Sequence, residues 1–147
     1  MTTCKASKEY ADAYAKTEFT VFGPDEHVLR IGQGAQEAAS WLRRHGAQSA
    51  TVVTAWNPFS CELSPEQNQE RQLRLQQELA TTGLHTLTAQ GQDKQSEWPA
   101  EPSLCVFDGT PDQIDSLLVK FEQNAVVQVD TNGACTLLWH PDLRTEP

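Results

Sequence analysis

The chain has 147 residues, 38% of them apolar, and carries 20 acidic against 11 basic side chains for a formal charge of −9. One domain of this length buries roughly 68–70% of the surface that its unfolded chain exposes, and apolar residues spread along the sequence, four Trp and five Phe among them, supply a core. Scattered Lys and Arg with an acidic balance argue against nucleic acid, whose affinity comes largely from cations neutralising phosphates, and against anionic membranes; no apolar run approaches the ~20 residues of a bilayer span.

In chain order, residues 7–15 read as a short amphipathic helix with Tyr10 and Tyr14 at i, i+4. Phe19-Thr20-Val21-Phe22 and His27-Val28-Leu29-Arg30-Ile31 alternate around Gly23-Pro24-Asp25-Glu26, which predicts a hairpin. A helix from about Ala35 to His45 follows, with Ala38, Ala39, Trp41 and Leu42 on one face and Gly46 as its stop. Ala50 to Trp56 is the clearest strand: β-branched, uncharged and central. Ser64-Pro65-Glu66-Gln67 combines an N-cap, a Pro at the first helical position and a capping-box Gln. The helix it starts runs to Thr82, and its thin apolar face is Leu73, Leu75, Leu79 and Ala80.

Leu84 to Ala89 predicts a strand, and Gln90 to Ser103 a polar loop that holds Trp98, long enough to suggest a functional excursion. The sheet resumes at Leu104-Cys105-Val106-Phe107. Thr110-Pro111-Asp112-Gln113 then repeats the capping signature ahead of a helix with Ile114, Leu117, Leu118 and Phe121 inward. Ala125 to Val129, Asn132-Gly133 and Ala134 to Trp139 form a second hairpin, since Asn-Gly between β runs is a strong turn signal. The expected architecture is α/β (or α+β): a mixed sheet of six or seven strands with N- and C-terminal hairpins and three main helices packed on it. Residues 1–139 form the one domain and 140–147 a loose tail. The pattern does not decide whether the central strand–helix–strand links are parallel crossovers.

Templates for catalysis mostly fail. There is no Gly-x-Ser-x-Gly elbow, no phosphate loop and no His-Glu-x-x-His. Gly32-Gln33-Gly34 before a helix reads as a plain turn, with Gln33 the one side chain it offers. His27, His45, His85, His140 and the four cysteines lack the close pairs of a zinc site, so neither metal nor cofactor is expected. Behind Met1-Thr2-Thr3-Cys4-Lys5 there is no apolar leader core. Cys4, Cys61, Cys105 and Cys135 are therefore expected as reduced thiols in a cytoplasmic protein, with Cys105 in the core and Cys61 in a loop. Asp108 before Gly109 reads as a turn residue, with a catalytic carboxylate as the alternative.

Thr54-Ala55-Trp56-Asn57-Pro58 is the informative segment. A central strand ends in a stacking aromatic and an amide that both donates and accepts. Gln123-Asn124 places two more amides where a helix ends and a strand begins. Trp56 as core and Asn57 as a turn residue is the structural alternative. If Gln33, Trp56, Asn57, Gln123 and Asn124 meet at one sheet edge, they form a neutral hydrogen-bonding pocket, with Arg30 as a charged neighbour.

At these residues the chain resembles the bacterial domain-of-unknown-function family 3293. The resemblance rests on Val28-Leu29-Arg30-Ile31-Gly32, Thr54-Ala55-Trp56-Asn57-Pro58, the Asn68-to-Arg71 stretch, Glu97-Trp98-Pro99 and Phe121-Glu122-Gln123-Asn124-Ala125-Val126-Val127, in order over roughly residues 14 to 130. Where the family carries Gly before Gln-Asn, this chain has Glu122. The family implies no activity and carries over no catalytic residue. Two functions follow as expectations. The first is a cytoplasmic, non-enzymatic module that binds a protein or small-molecule partner in a regulatory or immunity-like role. The second is an enzyme or nucleotide-handling protein using Trp56 as platform, Asn57 and Gln123 as orienters, and Arg30 or Asp108 as the charged participant.

Overall fold

The computed structural model describes residues 4–93 and 99–144. The strands are β1 (Thr17–Val21), β2 (His27–Leu29), β3 (Ala50–Val53), β4 (Thr86–Asp93), β5 (Glu101–Phe107), β6 (Ala125–Val129) and β7 (Cys135–Trp139). The helices are α1 (Ala11–Ala15), α2 (Ala35–Arg44), α3 (Pro65–Ala80) and α4 (Pro111–Lys120). The strands make one seven-stranded sheet in the order β2-β1-β4-β5-β3-β6-β7.

The α/β architecture with terminal hairpins and three main helices is the one expected. Every pairing, however, is antiparallel, where the pattern suggested a mixed sheet. The helical links do return the chain to strands of the same direction, as a crossover must. Another strand fills each gap: β5 lies between β3 and β4, and β3 between β5 and β6. Strand–helix–strand links therefore occur without one parallel neighbour among the described strands.

Both capping boxes form: Ser64 Oγ accepts from the Gln67 N–H and Thr110 Oγ1 from the Gln113 N–H, each answered by the Gln side chain. At the Asn132-Gly133 turn, Gly133 has φ 83°, and a Cβ there would lie 1.8 Å from the Ala35 carbonyl oxygen. Only glycine lets this hairpin tip close on the first turn of α2.

Alternation along the strands gives the sheet two faces. Val53, Leu104, Val106 and Val126 meet Leu75 and Leu79 of α3 and Ile114, Leu117 and Leu118 of α4. Val52, Cys105, Phe107, Val127 and Val129 meet Ala38, Trp41 and Leu42 of α2, with Tyr14 at the margin. Short α1 buries no residue.

Three expectations change. Gln90 to Ser103 is not one long loop: β4 continues to Asp93 and β5 begins at Glu101, paired from Thr86↔Val106 to Gly91↔Glu101. Polar side chains on both strands hid that pairing from the hydrophobic pattern; Trp98 and the Glu97-Trp98 part of the resemblance lie outside the described residues. On α3, Leu73 is exposed at 52% while Asn68 is buried, because the inward row runs through 68, 71, 72, 75 and 79. Residues 140–144 are no loose tail: His140 is buried, its N–H bonds to the Asn124 carbonyl (2.7 Å), and Arg144 grips Asp115 (Nη1–Oδ2, 3.0 Å).

Candidate functional site

Beyond β3 the backbone of Ala55, Trp56 and Asn57 leaves the sheet, so its polar groups need partners elsewhere. They find them in side chains of α3. Gln72 Oε1 accepts from the Ala55 N–H (3.0 Å), and Arg71 Nε donates to the Ala55 carbonyl (2.7 Å). Asn68 Oδ1 accepts from the Asn57 N–H (2.8 Å), while Asn68 Nδ2 and the Leu63 N–H donate to Asn57 Oδ1 (2.7 and 3.0 Å). From the turn between α4 and β6, Gln123 Nε2 donates to the carbonyls of Phe121 (3.0 Å) and Trp56 (3.3 Å).

This latch holds unusual backbone. Asn57, Phe59, Ser60 and Glu122 have φ between 49° and 64°, a region that costs non-glycine residues on the order of 1–2 kcal/mol each. Asn tolerates it best. Glu122 adopts this conformation at the turn between α4 and β6 with φ 55°. It is held there by a hydrogen bond from the Phe59 N–H to its carbonyl (2.6 Å) and by its ion pair with Arg71 (3.4 Å).

Asn124 ties down the N-terminal segment. Its Oδ1 accepts from the Ser7 N–H (2.8 Å) and its Nδ2 donates to Ser60 Oγ (3.1 Å). A disulfide joins Cys4 to Cys61, with Cα atoms 6.2 Å apart. Four reduced thiols were expected, so this pair is a correction. Distance along the chain, 57 residues, concealed that the turn after Asn57 returns to the N-terminus. Cys105 and Cys135 are free and buried. Burial pushes Cys105 up to about 12 and Cys135 up to about 11, so neither thiol is a nucleophile near neutral pH.

Between α1 and the sheet, on the face that carries α2, lies a cavity of about 290 Å³. Its floor is made of Phe19, Val52, Ala125 and Val127 together with the small residues Gly91 and Ser103. Gly91 pairs with Phe19 on one side and Glu101 on the other; a Cβ there would sit 3.3 Å from the Phe19 ring. Tyr14 of α1 and Tyr10, which precedes that helix, form one wall, and Trp56, Asn57 and Gln123 another.

Two carboxylates, Asp93 and Glu101, also line the cavity. Asp93 accepts from Gln92 Nε2 (3.3 Å). No described residue donates to the Glu101 carboxyl, and burial pushes it up to about 7. The Tyr14 phenol is raised above its ordinary value by burial first and by the Glu101 charge second, against a weaker downward pull from the Ala125 N–H.

Of the residues singled out in the sequence, Trp56, Asn57 and Gln123 line this cavity, and Asn124 sits one hydrogen bond away at Ser60. Arg30 does not join them: it pairs with Glu18 on the β1–β2 hairpin (Nε–Oε2, 2.9 Å). Gln33 is exposed in the turn before α2. Asp108 accepts from the Gln48 and Ser49 N–H groups (2.8 and 3.0 Å) at φ 59°, which is the turn role. Among the described residues no three His, Cys, Asp or Glu side chains group as a metal set would. Tyr10, Tyr14, Asp93 and Glu101 were not anticipated. The signal for Glu101 is the same-face series Glu101, Ser103, Cys105, Phe107, obscured by Pro99 and Pro102, and that for the tyrosines is their i, i+4 spacing.

Fold and cavity together define a small antiparallel α+β domain with a half-open polar-aromatic pocket beside a rigid strand-end latch. The chain belongs to the family described as "Protein of unknown function (DUF3293)", which matches residues 53–126, just over half of the 147. The match spans the whole latch from Thr54 to Asn124 and leaves out α1 and β1. No curated protein and no solved structure matches the chain. No helix among the described residues is long and apolar enough to cross a membrane.

Proposed function

We propose that this chain is a binding module that holds a small organic molecule in the cavity between α1 and the sheet. The observation that supports it best is the cavity itself: about 290 Å³ with aromatic walls and a few convergent polar groups, near the lower end of ordinary ligand pockets at ~300–1,000 Å³. Around it, hydrogen bonds hold several residues at positive φ, the kind of stored strain that gathers at binding sites. The latch amides already have partners. In this reading Asn57 and Gln123 shape the wall, and the ligand meets Trp56, the tyrosines and the carboxyls.

A thermal-shift screen of small metabolites, with hits mapped by amide chemical shifts, tests the reading. Saturable hits should perturb Ala13, Trp56, Ser103 and Ala125. Hits confined to α3 and α4 would put the binding surface elsewhere. A second reading, an enzyme, is favoured by one feature: a carboxyl near neutrality suits a general acid or base. Recovery of a bound compound chemically unchanged supports the module, and its conversion supports the enzyme.

A further inference from the structure

We infer that the ligand of this cavity is an organic cation, a protonated amine carried on a small aromatic or apolar body. The inference rests on the cavity reading above and adds the chemistry of the occupant.

Charge comes first. The lining holds the carboxyls of Asp93 and Glu101 and, among the described residues, no Lys, Arg or His. The chain as a whole stands at −9. An anion entering there meets the Glu101 carboxyl with no cation among the described lining residues to offset the repulsion, and a cation meets an attraction instead.

Placement comes second. Glu101 lies on β5 directly across from Gly91, so no neighbouring side chain on β4 covers it. Its carboxyl lines the cavity with no described donor, whereas Asn57, Asn68, Gln123 and Asn124 nearby all have partners. Glu101 is half-buried, and its carboxyl lines the site with no hydrogen bond from a described side chain. Burying a polar group without a partner is costly, and an ammonium group supplies both the donors and the counter-charge. Tyr10, Tyr14 and Trp56 present aromatic faces around the same space, and such faces attract cations as well as flat apolar bodies.

Binding then involves a proton. With Glu101 near half-protonated at neutral pH, R–NH₃⁺ + Glu–COOH gives Glu–COO⁻···⁺H₃N–R + H⁺. The amine keeps its charge throughout, since alkyl ammonium groups titrate near 10. Affinity for a cation should therefore rise with pH across the Glu101 titration, and affinity for a neutral isostere should not.

The test uses three probes that share one aromatic body: tyramine, 4-ethylphenol and 4-hydroxyphenylacetate, titrated calorimetrically into the full chain at pH 6 and pH 8. Tyramine should bind tightest at pH 8, by about tenfold or more over 4-ethylphenol. Its advantage should shrink about tenfold at pH 6, as Glu101, titrating at about 7, becomes protonated. Glu101→Gln, close to isosteric with the protonated acid, should erase both the preference and its pH dependence. The wild-type pH series stands as a separate measurement if that variant folds poorly. Equal or tighter binding of the phenol or the acid overturns the cation assignment and leaves the cavity reading intact. Binding by none of the three at millimolar concentration overturns both. A preference that survives in Glu101→Gln removes Glu101 from the recognition.

Discussion

The two faces of the sheet are covered very differently. On one, α3 and α4 pack Leu75, Leu79, Ile114, Leu117 and Leu118 against Val53, Leu104, Val106 and Val126. On the other, α2 covers one end with Trp41 and Leu42, and among the described residues the far end has as its helical cover only α1, five residues long with none buried. The first face carries the stability. The second is left incomplete, and there the polar residues of the sheet, Asp93, Glu101 and Ser103, gather around a cavity. A latch of α3 side chains and a disulfide hold this looser end, so its shape depends on directed bonds where the other face depends on packing.

The largest expected effect breaks the packed face. Leu118 is fully buried, so Leu118→Ala should cost about 3–4 kcal/mol through lost burial and the space left behind. Urea unfolding measures it. A loss below about 1 kcal/mol would mean that the face under α4 repacks easily and that the contrast drawn here is wrong.

Next comes the pH dependence of the open face. Glu101 titrates at about 7 in the folded chain against 4.5 for the ordinary carboxyl, so the folded state binds its proton more tightly than the unfolded state. Stability is fully present below pH 4.5 and is lost as pH rises to about 7, at about 1.4 kcal/mol per pH unit. The total loss approaches ~3 kcal/mol. Glu101→Gln should remove that slope and be the more stable protein at pH 8. Parallel stability curves for the two proteins between pH 5 and pH 8 would show that Glu101 is solvated and ordinary.

Third is the latch. Asn57→Ala removes the acceptor of two bonds, from the Leu63 N–H and Asn68 Nδ2, at a residue with φ 50° that Asn tolerates and Ala does not. The expected loss is about 2 kcal/mol, read by chemical denaturation. An unchanged midpoint would return Asn57 to the ligand.

This third case also shows how far the sequence could be read. Capping boxes at Ser64 and Thr110, the Asn-Gly hairpin and the strand from Ala50 were legible because each rests on neighbours in the chain. The amides were legible as a group, since Trp56, Asn57 and Gln123 do meet. Their purpose was not, because their partners Asn68, Arg71 and Gln72 occupy helix positions where an apolar face was sought. Polar residues on the inward side made α3 look thin and led to the misplacement of Leu73. The cavity was hidden by the same kind of substitution on β4 and β5, where Gly91, Asp93, Glu101 and Ser103 interrupt the hydrophobic alternation that would have marked a sheet face.

The smallest expected effect on stability sharpens the comparison most. Tyr10 lines the cavity yet is 36% exposed, and α1 buries no residue. Tyr10→Ala should therefore leave stability within about 0.5 kcal/mol, as for surface substitutions generally. If the open face is a binding site, the same change should weaken a cavity ligand severalfold, since an exposed aromatic over a cation contributes about 0.5–1 kcal/mol and its ring also closes one wall. A structural wall and a binding wall thus separate in one variant: the melt stays put while the binding isotherm shifts. A clear loss of stability with no change in affinity would instead make α1 a missing part of the core, and the two faces would differ only in how well they are filled.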